Sequence, residues 1–206
     1  ILITQKLDEL GVDFIEGGFA GSNPKDEEYF KRVKKLNLKN SKIVSFGQTR
    51  KANNNVENDI FMNALISAET DYVTIVGKAS AYQTEKILKT SLEENINMIS
   101  DSVKYLKSKD KEVFFDAEHF FDGYKDNPEY SIQCLKSAYE AGATRIILCD
   151  TNGGTLPSEI SDITKKVVSE LNQKELIGIH THNDTDTAVA STISAVESGA
   201  YQVQGC

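Results

Sequence analysis

The sequence predicts a (β/α)8 TIM barrel, an α/β fold, with the first strand and the end of the barrel lying outside the chain. Three observations lead there. Short apolar runs rich in β-branched and aromatic residues recur along the 206 residues, and segments with helical periodicity separate them. Strands alternating with helices indicate a parallel sheet, because parallel neighbours need a crossover and the helix supplies it. No phosphate-binding turn follows the first run: Glu16-Gly17-Gly18-Phe19-Ala20-Gly21 lacks the G-x-G-x-x-G spacing, which argues against a doubly wound open sheet.

In chain order, residues 1–10 read as the first helix, one whose preceding strand is absent. Residues 12–15 form the first strand, and residues 43–46, 72–76, 113–115, 145–149, 177–180 and 201–203 give six more. Residues 31–39 are lysine-rich, but their charges alternate with Val33, Leu36 and Leu38, the pattern of a solvated helix face and its exit loop. Leu88, Leu92, Ile96, Ile99, Val103 and Leu106 recur every three or four residues and mark a long helix. Pro128 and Pro157 stand where first helical turns begin, and Gly11, Gly142 and Gly199 follow helices just before the next strand. Seven strands with one helix ahead of them fit strands two to eight of a barrel. Residues 1–206 are therefore read as a single catalytic domain, incomplete at both ends.

Composition excludes several classes. Hydrophobic residues at 39% and charged residues at 26% match globular averages, and no apolar run approaches the ~18 residues of a membrane helix, so a soluble protein without a membrane partner is expected. A net charge of −8 opposes the basic stripe that a nucleic-acid surface needs. The start, ILITQKLDEL, has neither the basic region nor the cleavage site of a secretory signal. Cys134, Cys149 and Cys206 lack metal-type or redox-type spacing and read as reduced thiols, which points to the cytoplasm.

In such a barrel the chemistry collects at the carboxyl ends of the strands, so the polar residues closing each apolar run are the candidates. His180 and His182 stand two apart, which places both imidazoles on one side of a strand as a pair of metal ligands. Asn183 and Asp184 follow as possible partners for the ring N–H groups. Glu118 is either a carboxylate that orients substrate or accepts its proton, or a solvated loop acid. His119, one residue on, would face away from Glu118 and take a packing or hydrogen-bonding role. Thr151 is either a hydroxyl that holds a carboxylate group or part of a turn eased by Gly153 and Gly154. Lys78 and Arg50 either meet an anionic substrate or, more commonly for such residues, stay solvated. Glu16, beside two glycines, reads as one half of a buried ion pair with an arginine outside the chain or as a helix-capping acid.

Four stretches carry a resemblance: IEGGFAGSNPKD (15–26), DAEHFFDGYKDNPEY (116–130), LCDTNGGTLP (148–157) and IHTHND (179–184). With them the chain closely resembles the citramalate synthase group, within the larger family of isopropylmalate and homocitrate synthases and hydroxymethylglutaryl-CoA lyases, the DRE-TIM metallolyase barrels. The resemblance implies that His180 and His182 bind a divalent metal, Mg, Mn or Zn, together with an aspartate from an Arg-Asp-Gly motif on the first strand. It implies that Glu118 is the catalytic, active-site carboxylate and that Thr151 helps hold the carboxylate of a 2-oxo acid; Glu16, at a strand end, is taken as a further substrate-binding candidate. Two departures, Gln83 where relatives carry histidine and Asp186-Thr187 where Gly-Leu is usual, bear on substrate preference.

The activity so implied is an acyl transfer in amino-acid biosynthesis: condensation of acetyl-CoA with a 2-oxo acid, pyruvate giving citramalate. The metal polarises the keto group while a base takes a methyl proton from acetyl-CoA. Isopropylmalate or homocitrate synthesis, or lyase cleavage, keeps the same logic with another substrate. A catalytically incomplete, ligand-binding barrel fragment is the alternative of a different class. A homodimer is expected of the full-length protein, and a chain lacking the aspartate ligand is expected to be inactive alone.

Overall fold

A computed structural model describes residues 1–21, 23–173 and 175–205; Cys206 lies outside the described residues. Seven strands form, β1 (Phe14–Phe19), β2 (Lys42–Gln48), β3 (Tyr72–Lys78), β4 (Glu112–Glu118), β5 (Arg145–Asp150), β6 (Ile177–Thr181) and β7 (Gln202–Gln204). They pair in sequence order, and every neighbouring pair is parallel. Eight α-helices accompany them among the described residues: α1 (Leu2–Leu10), α2 (Pro24–Val33), α3 (Ile60–Ser67), α4 (Leu92–Lys107), α5 (Phe120–Asp126), α6 (Pro128–Glu140), α7 (Pro157–Leu171) and α8 (Ala188–Glu197). The expected alternation is present throughout.

The sheet curls into part of a barrel. The rings of Phe14 on β1 and Phe114 on β4 meet edge-on at 5.0 Å. Strands spaced about 4.8 Å apart would hold these positions roughly 14 Å apart in a flat sheet, so the contact requires strong curvature. Gln204 on β7 reaches Asp116 on β4 across the same number of strands. Among the described residues β1 and β7 do not pair with each other, and the sheet stays open there.

Alternation along each strand sorts the side chains into two layers. Val73 and Ile75, Val113 and Phe115, Ile146 and Leu148, and Ile177 and Ile179 are buried in one cluster with helix residues Met62, Leu65, Ile99, Val103, Leu135 and Val167. Their neighbours in sequence, among them Thr74, Phe114, Asp116, Ile147 and His180, therefore point to the barrel axis. Burying the outer layer is the main favourable term for the fold, since each fully buried aliphatic or aromatic side chain contributes about 1.5–3 kcal/mol.

Two boundaries differ from those expected. The strands do not stop at their last apolar residue: Lys78 and Glu118, at the ends of β3 and β4, are still register partners, because the parallel ladder continues while backbone groups can pair. The stripe from Leu88 to Leu106 is also broken. Ser91 caps α4 by accepting the Glu94 N–H through its hydroxyl, and Leu88 closes a separate π-helical turn, Gln83–Leu88, followed by Lys89 in the left-handed region. Leu88 is 37% exposed and takes no place in the α4 core face. The short α5, directly after β4, lies in a stretch that carries no clear helical stripe. No described helix is long and apolar enough to cross a membrane.

Candidate active site

The inward positions at the carboxyl ends of the strands open into a cavity of about 400 Å³. Its polar lining is Glu16, Asp116, Glu118, Thr151, His180 and His182, and Phe19, Phe46, Val76 and Cys149 supply apolar wall. Sequence positions from 16 to 182 thus meet because strand ends converge on one mouth. Glu16, Glu118, Thr151, His180 and His182, all read from the sequence as site residues, share this cavity. His119, expected to face away, does so: it sits in the left-handed region at the start of α5 with Nδ1 3.4 Å from Asp122.

His180 lies within β6, where its register partners are Cys149 on β5 and Gln204 on β7. Its Nδ1 donates to Gln204 Oε1 at 2.8 Å, and the Gln204 amide donates to Asp116 Oδ1 at 3.0 Å. His182 follows just past the strand, its backbone N–H donated to the Asp150 carbonyl at 3.2 Å. The two imidazole centroids are 5.1 Å apart, tilted by 47°. Rings sharing one ion at a metal–nitrogen distance of about 2.1 Å have centres roughly 4.5–5.2 Å apart, so this pair fits a divalent cation. Among the described residues no three histidine, cysteine or acidic side chains enclose an ion, and the imidazoles supply two of the positions one needs. Asn183 does not serve the rings; its side-chain oxygen accepts the Ala188 N–H at 3.1 Å and shapes the turn into α8.

Three carboxyl groups crowd the same space. Asp116 is 5% exposed; burial pushes its carboxyl well above the ordinary carboxylate range, and the nearby Glu16 and Glu118 charges add to the rise while the Gln204 amide opposes it. Cys149 behaves alike: burial, then the surrounding acids, pushes its thiol well up, so it stays a neutral wall residue. Cys134, buried in the helix layer, is pushed up to about 12, chiefly by burial. Both fit the reading of inert, reduced thiols.

Glu118 pairs with Lys78, its register partner on β3. Lys78 is thus neither a solvated charge nor a free anion contact, as its sequence position had indicated, but the fixed partner of the cavity's carboxylate. Arg50 departs further. It is 5% exposed and donates to Glu94 at 2.7 Å and to Asp101 at 2.8 Å, tying the loop after β2 to α4 away from the cavity. Glu16 is exposed on edge strand β1, and the cap of α2 is Asn23, so Glu16 is not that helix's capping acid. Thr151 accepts the His119 N–H through its hydroxyl oxygen at 2.8 Å, which leaves its own O–H to donate into the cavity. Gln83 begins the π-helical turn, its N–H donated to Ser80 Oγ at 3.4 Å, and Asp186 takes a left-handed φ of 58° in the turn before α8.

Gln204 and Asp116, which stand behind His180, are not among the candidates named from the sequence. A signal for both existed in the alternation: counting inward by twos from Glu118 gives Asp116, and Gln204 is the polar residue closing the last apolar run.

Comparison with known proteins fits this geometry. The HMGL-like family model matches residues 1–206. The chain is 53% identical to the (R)-citramalate synthase of Aquifex aeolicus over 100% of its own length and 39% of that relative. It is 50% identical to the (R)-citramalate synthase of Geobacter sulfurreducens, over 100% of the chain and 38% of the relative. With the 2-isopropylmalate synthase of Methanocaldococcus jannaschii the identity falls to 34%, over 98% and 36%. The chain thus spans about two fifths of the length of these relatives. Among solved structures, the HMG-CoA lyase from Brucella melitensis superimposes with a TM-score of 0.80 at 14% identity, covering 98% of this chain and 71% of that one. That likeness is one of fold, a TIM barrel of which this chain forms a large part. A family model that runs the full chain shows that the chain belongs to the HMGL-like family.

Proposed function

We propose that the protein carrying this chain condenses acetyl-CoA with a 2-oxo acid, pyruvate, to give citramalate, with residues 1–206 serving as its single catalytic barrel domain. The observation that carries the reading is the meeting of His180, His182, Glu118 and Thr151 at one cavity in a chain 53% identical to an (R)-citramalate synthase. His180 and His182 would hold a divalent metal, with the remaining positions filled by substrate oxygens and other donors. When bound, such an ion supplies Lewis acidity to the acceptor's keto group.

The chain's own residues divide the rest of the work. Thr151 donates its hydroxyl to the acceptor's carboxylate, which sets the ketone toward the imidazole pair. Phe46 and Val76 form the apolar wall that suits a methyl group on the acceptor. Glu118, steadied by Lys78, is the carboxylate placed to take a proton from the acetyl methyl. The carbanion equivalent so formed bonds to the keto carbon, whose oxygen gains a proton; water then cleaves the thioester and releases coenzyme A. Acetyl-CoA is an intracellular co-substrate, which agrees with a cytoplasmic location. We further infer a homodimer for the full-length protein.

Coenzyme A release tests the reading directly. The full-length protein, supplied with acetyl-CoA and Mg²⁺ or Mn²⁺, is expected to prefer pyruvate over 2-oxoisovalerate and 2-oxoglutarate. Faster turnover of 2-oxoisovalerate would move the assignment to isopropylmalate synthesis, and metal-independent turnover would remove the role of the histidines.

A further inference from the structure

We propose that Gln204 is a positioning residue that, held by Asp116, fixes the proton of His180 on Nδ1 and so presents Nε2 to the cation. The inference rests on the reading of His180 and His182 as metal ligands, and it concerns a device that spans β4, β6 and β7.

A neutral imidazole binds a metal only through the ring nitrogen that carries no proton, and the partner of the other nitrogen decides which one that is. Here the partner is an amide, which has two ends: its oxygen only accepts and its NH₂ only donates. With Oε1 turned to His180 the ring must donate from Nδ1, at 2.8 Å. With the amide reversed, NH₂ would face Nδ1, the proton would move to Nε2, and the nitrogen that faces an ion would lose its lone pair. A lone glutamine has little preference between these states. As a carboxylate Asp116 removes the ambiguity, because its oxygens only accept and Oδ1 takes the Gln204 NH₂ at 3.0 Å.

Both ends of this chain of hydrogen bonds are held. His180 and Gln204 are register partners on adjacent parallel strands, so their side chains rise from the same face without any loop between them. Asp116 is 5% exposed and comes from β4 on the far side of the cavity, 88 residues away from Gln204. His182, by contrast, lies past the end of its strand and is exposed, and among the described residues no side chain hydrogen-bonds its ring as Gln204 does that of His180. The two candidate ligands are thus unequal: His180 is set in advance, while His182 has freedom to adjust.

Two measurements on the full-length, metal-free protein test the proposal. Long-range ¹⁵N–¹H spectra of the histidine rings at alkaline pH are expected to show His180 protonated at Nδ1; a proton on Nε2 overturns the proposal without any variant. Mn²⁺ titration followed by electron paramagnetic resonance supplies the second. Gln204→Leu, which removes both hydrogen bonds, is expected to weaken Mn²⁺ binding about 10- to 100-fold. Gln204→Glu keeps an acceptor for Nδ1 and is expected to keep affinity within about threefold. Asp116→Val, which frees the amide to rotate, is expected to give a mixed His180 tautomer and an intermediate loss. Equal losses in Gln204→Leu and Gln204→Glu would make the residue merely structural and overturn the proposal. His180→Ala separates the two levels: if it leaves Mn²⁺ affinity intact, the metal reading falls and this one with it. If it abolishes binding while Gln204→Leu does not, only the positioning role falls.

Discussion

Lys78 and Glu118 are register partners at the ends of β3 and β4, and their side chains close an ion pair at the edge of the cavity. The Asn95 side chain, on α4, donates to the Lys78 carbonyl at 2.9 Å, so the backbone that carries the ammonium is itself tied to the helix layer. In the proposed reaction the carboxylate has to be held still against a small, mobile substrate, and this arrangement holds it from the neighbouring strand.

Separate effects are expected from the two partners. Glu118→Gln, which keeps the shape and removes the proton acceptor, should lower kcat about 10²- to 10⁴-fold. Lys78→Met should lower kcat/KM about tenfold through looser placement of Glu118, with Lys78→Arg recovering part of the loss. Steady-state kinetics with acetyl-CoA and pyruvate check both. A Glu118→Gln enzyme with near-normal kcat would place the base elsewhere.

How much of this was legible in the sequence depended on distance along the chain. The seven strands and the mouth residues Glu118, Thr151, His180 and His182 could be read because each signal is local: an apolar run, then the polar residues that close it. Arg50 could not, because its partners Glu94 and Asp101 lie 44 and 51 residues on and come together only when α4 packs beside the loop after β2. Leu88 misled for the opposite reason. Its spacing continues the α4 stripe perfectly well, but spacing does not show that Ser91 starts the helix anew. Gln204 was hidden by being ordinary: a glutamine near a chain's last strand gains meaning only beside its register partner His180.

Asp59 links that same loop to a dependence on pH. Although burial raises its carboxyl, N–H groups of Lys51, Asn54, Phe61 and Met62 donate to it and prevail, holding it below the usual carboxylate range. A depressed native value means that the unfolded chain binds the proton more readily. The stabilisation is therefore complete above the ordinary carboxylate range and lost as pH falls through the native value. Asp59→Ala should cost about 1–2 kcal/mol at neutral pH, as for a lost helix cap, and less in strong acid. Urea unfolding at several pH values measures this; a cost that stays constant into acid would contradict the sign.

Gly153 governs the second histidine. Its φ of +59° lies in the left-handed region, and a Cβ placed there would come within 2.8 Å of both the His182 carbonyl oxygen and the Asp184 backbone nitrogen. These are backbone atoms of the turn that carries His182, so the turn itself must move. Gly153→Ala should cost about 1–3 kcal/mol of stability and weaken Mn²⁺ binding about tenfold, without changing the proton position on His180. Metal titration beside thermal unfolding checks the pair. Unaltered affinity in a destabilised protein would mean that His182 tolerates the shift.

Thr151 offers the sharpest test of how the acceptor is held. Its oxygen already accepts the His119 N–H at 2.8 Å, so the hydroxyl proton has to seek an acceptor elsewhere, and the residue lines the cavity. A carboxylate placed there would receive a charge-assisted hydrogen bond, worth about 1.5–3 kcal/mol. Thr151→Val keeps the shape but removes this donor and also leaves the His119 amide without its partner, whereas Thr151→Ser keeps both bonds and loses one methyl. The expected outcome is therefore a rise in KM for pyruvate of roughly 10- to 100-fold in Thr151→Val, with little change for acetyl-CoA and a near-normal Thr151→Ser. If the His119 bond alone mattered, the loss would appear in kcat and in both KM values together, because the start of α5 beside Glu118 would shift. Initial-rate kinetics with each substrate varied in turn distinguish the two, and a Thr151→Val enzyme unchanged toward pyruvate would take the acceptor's carboxylate away from this hydroxyl.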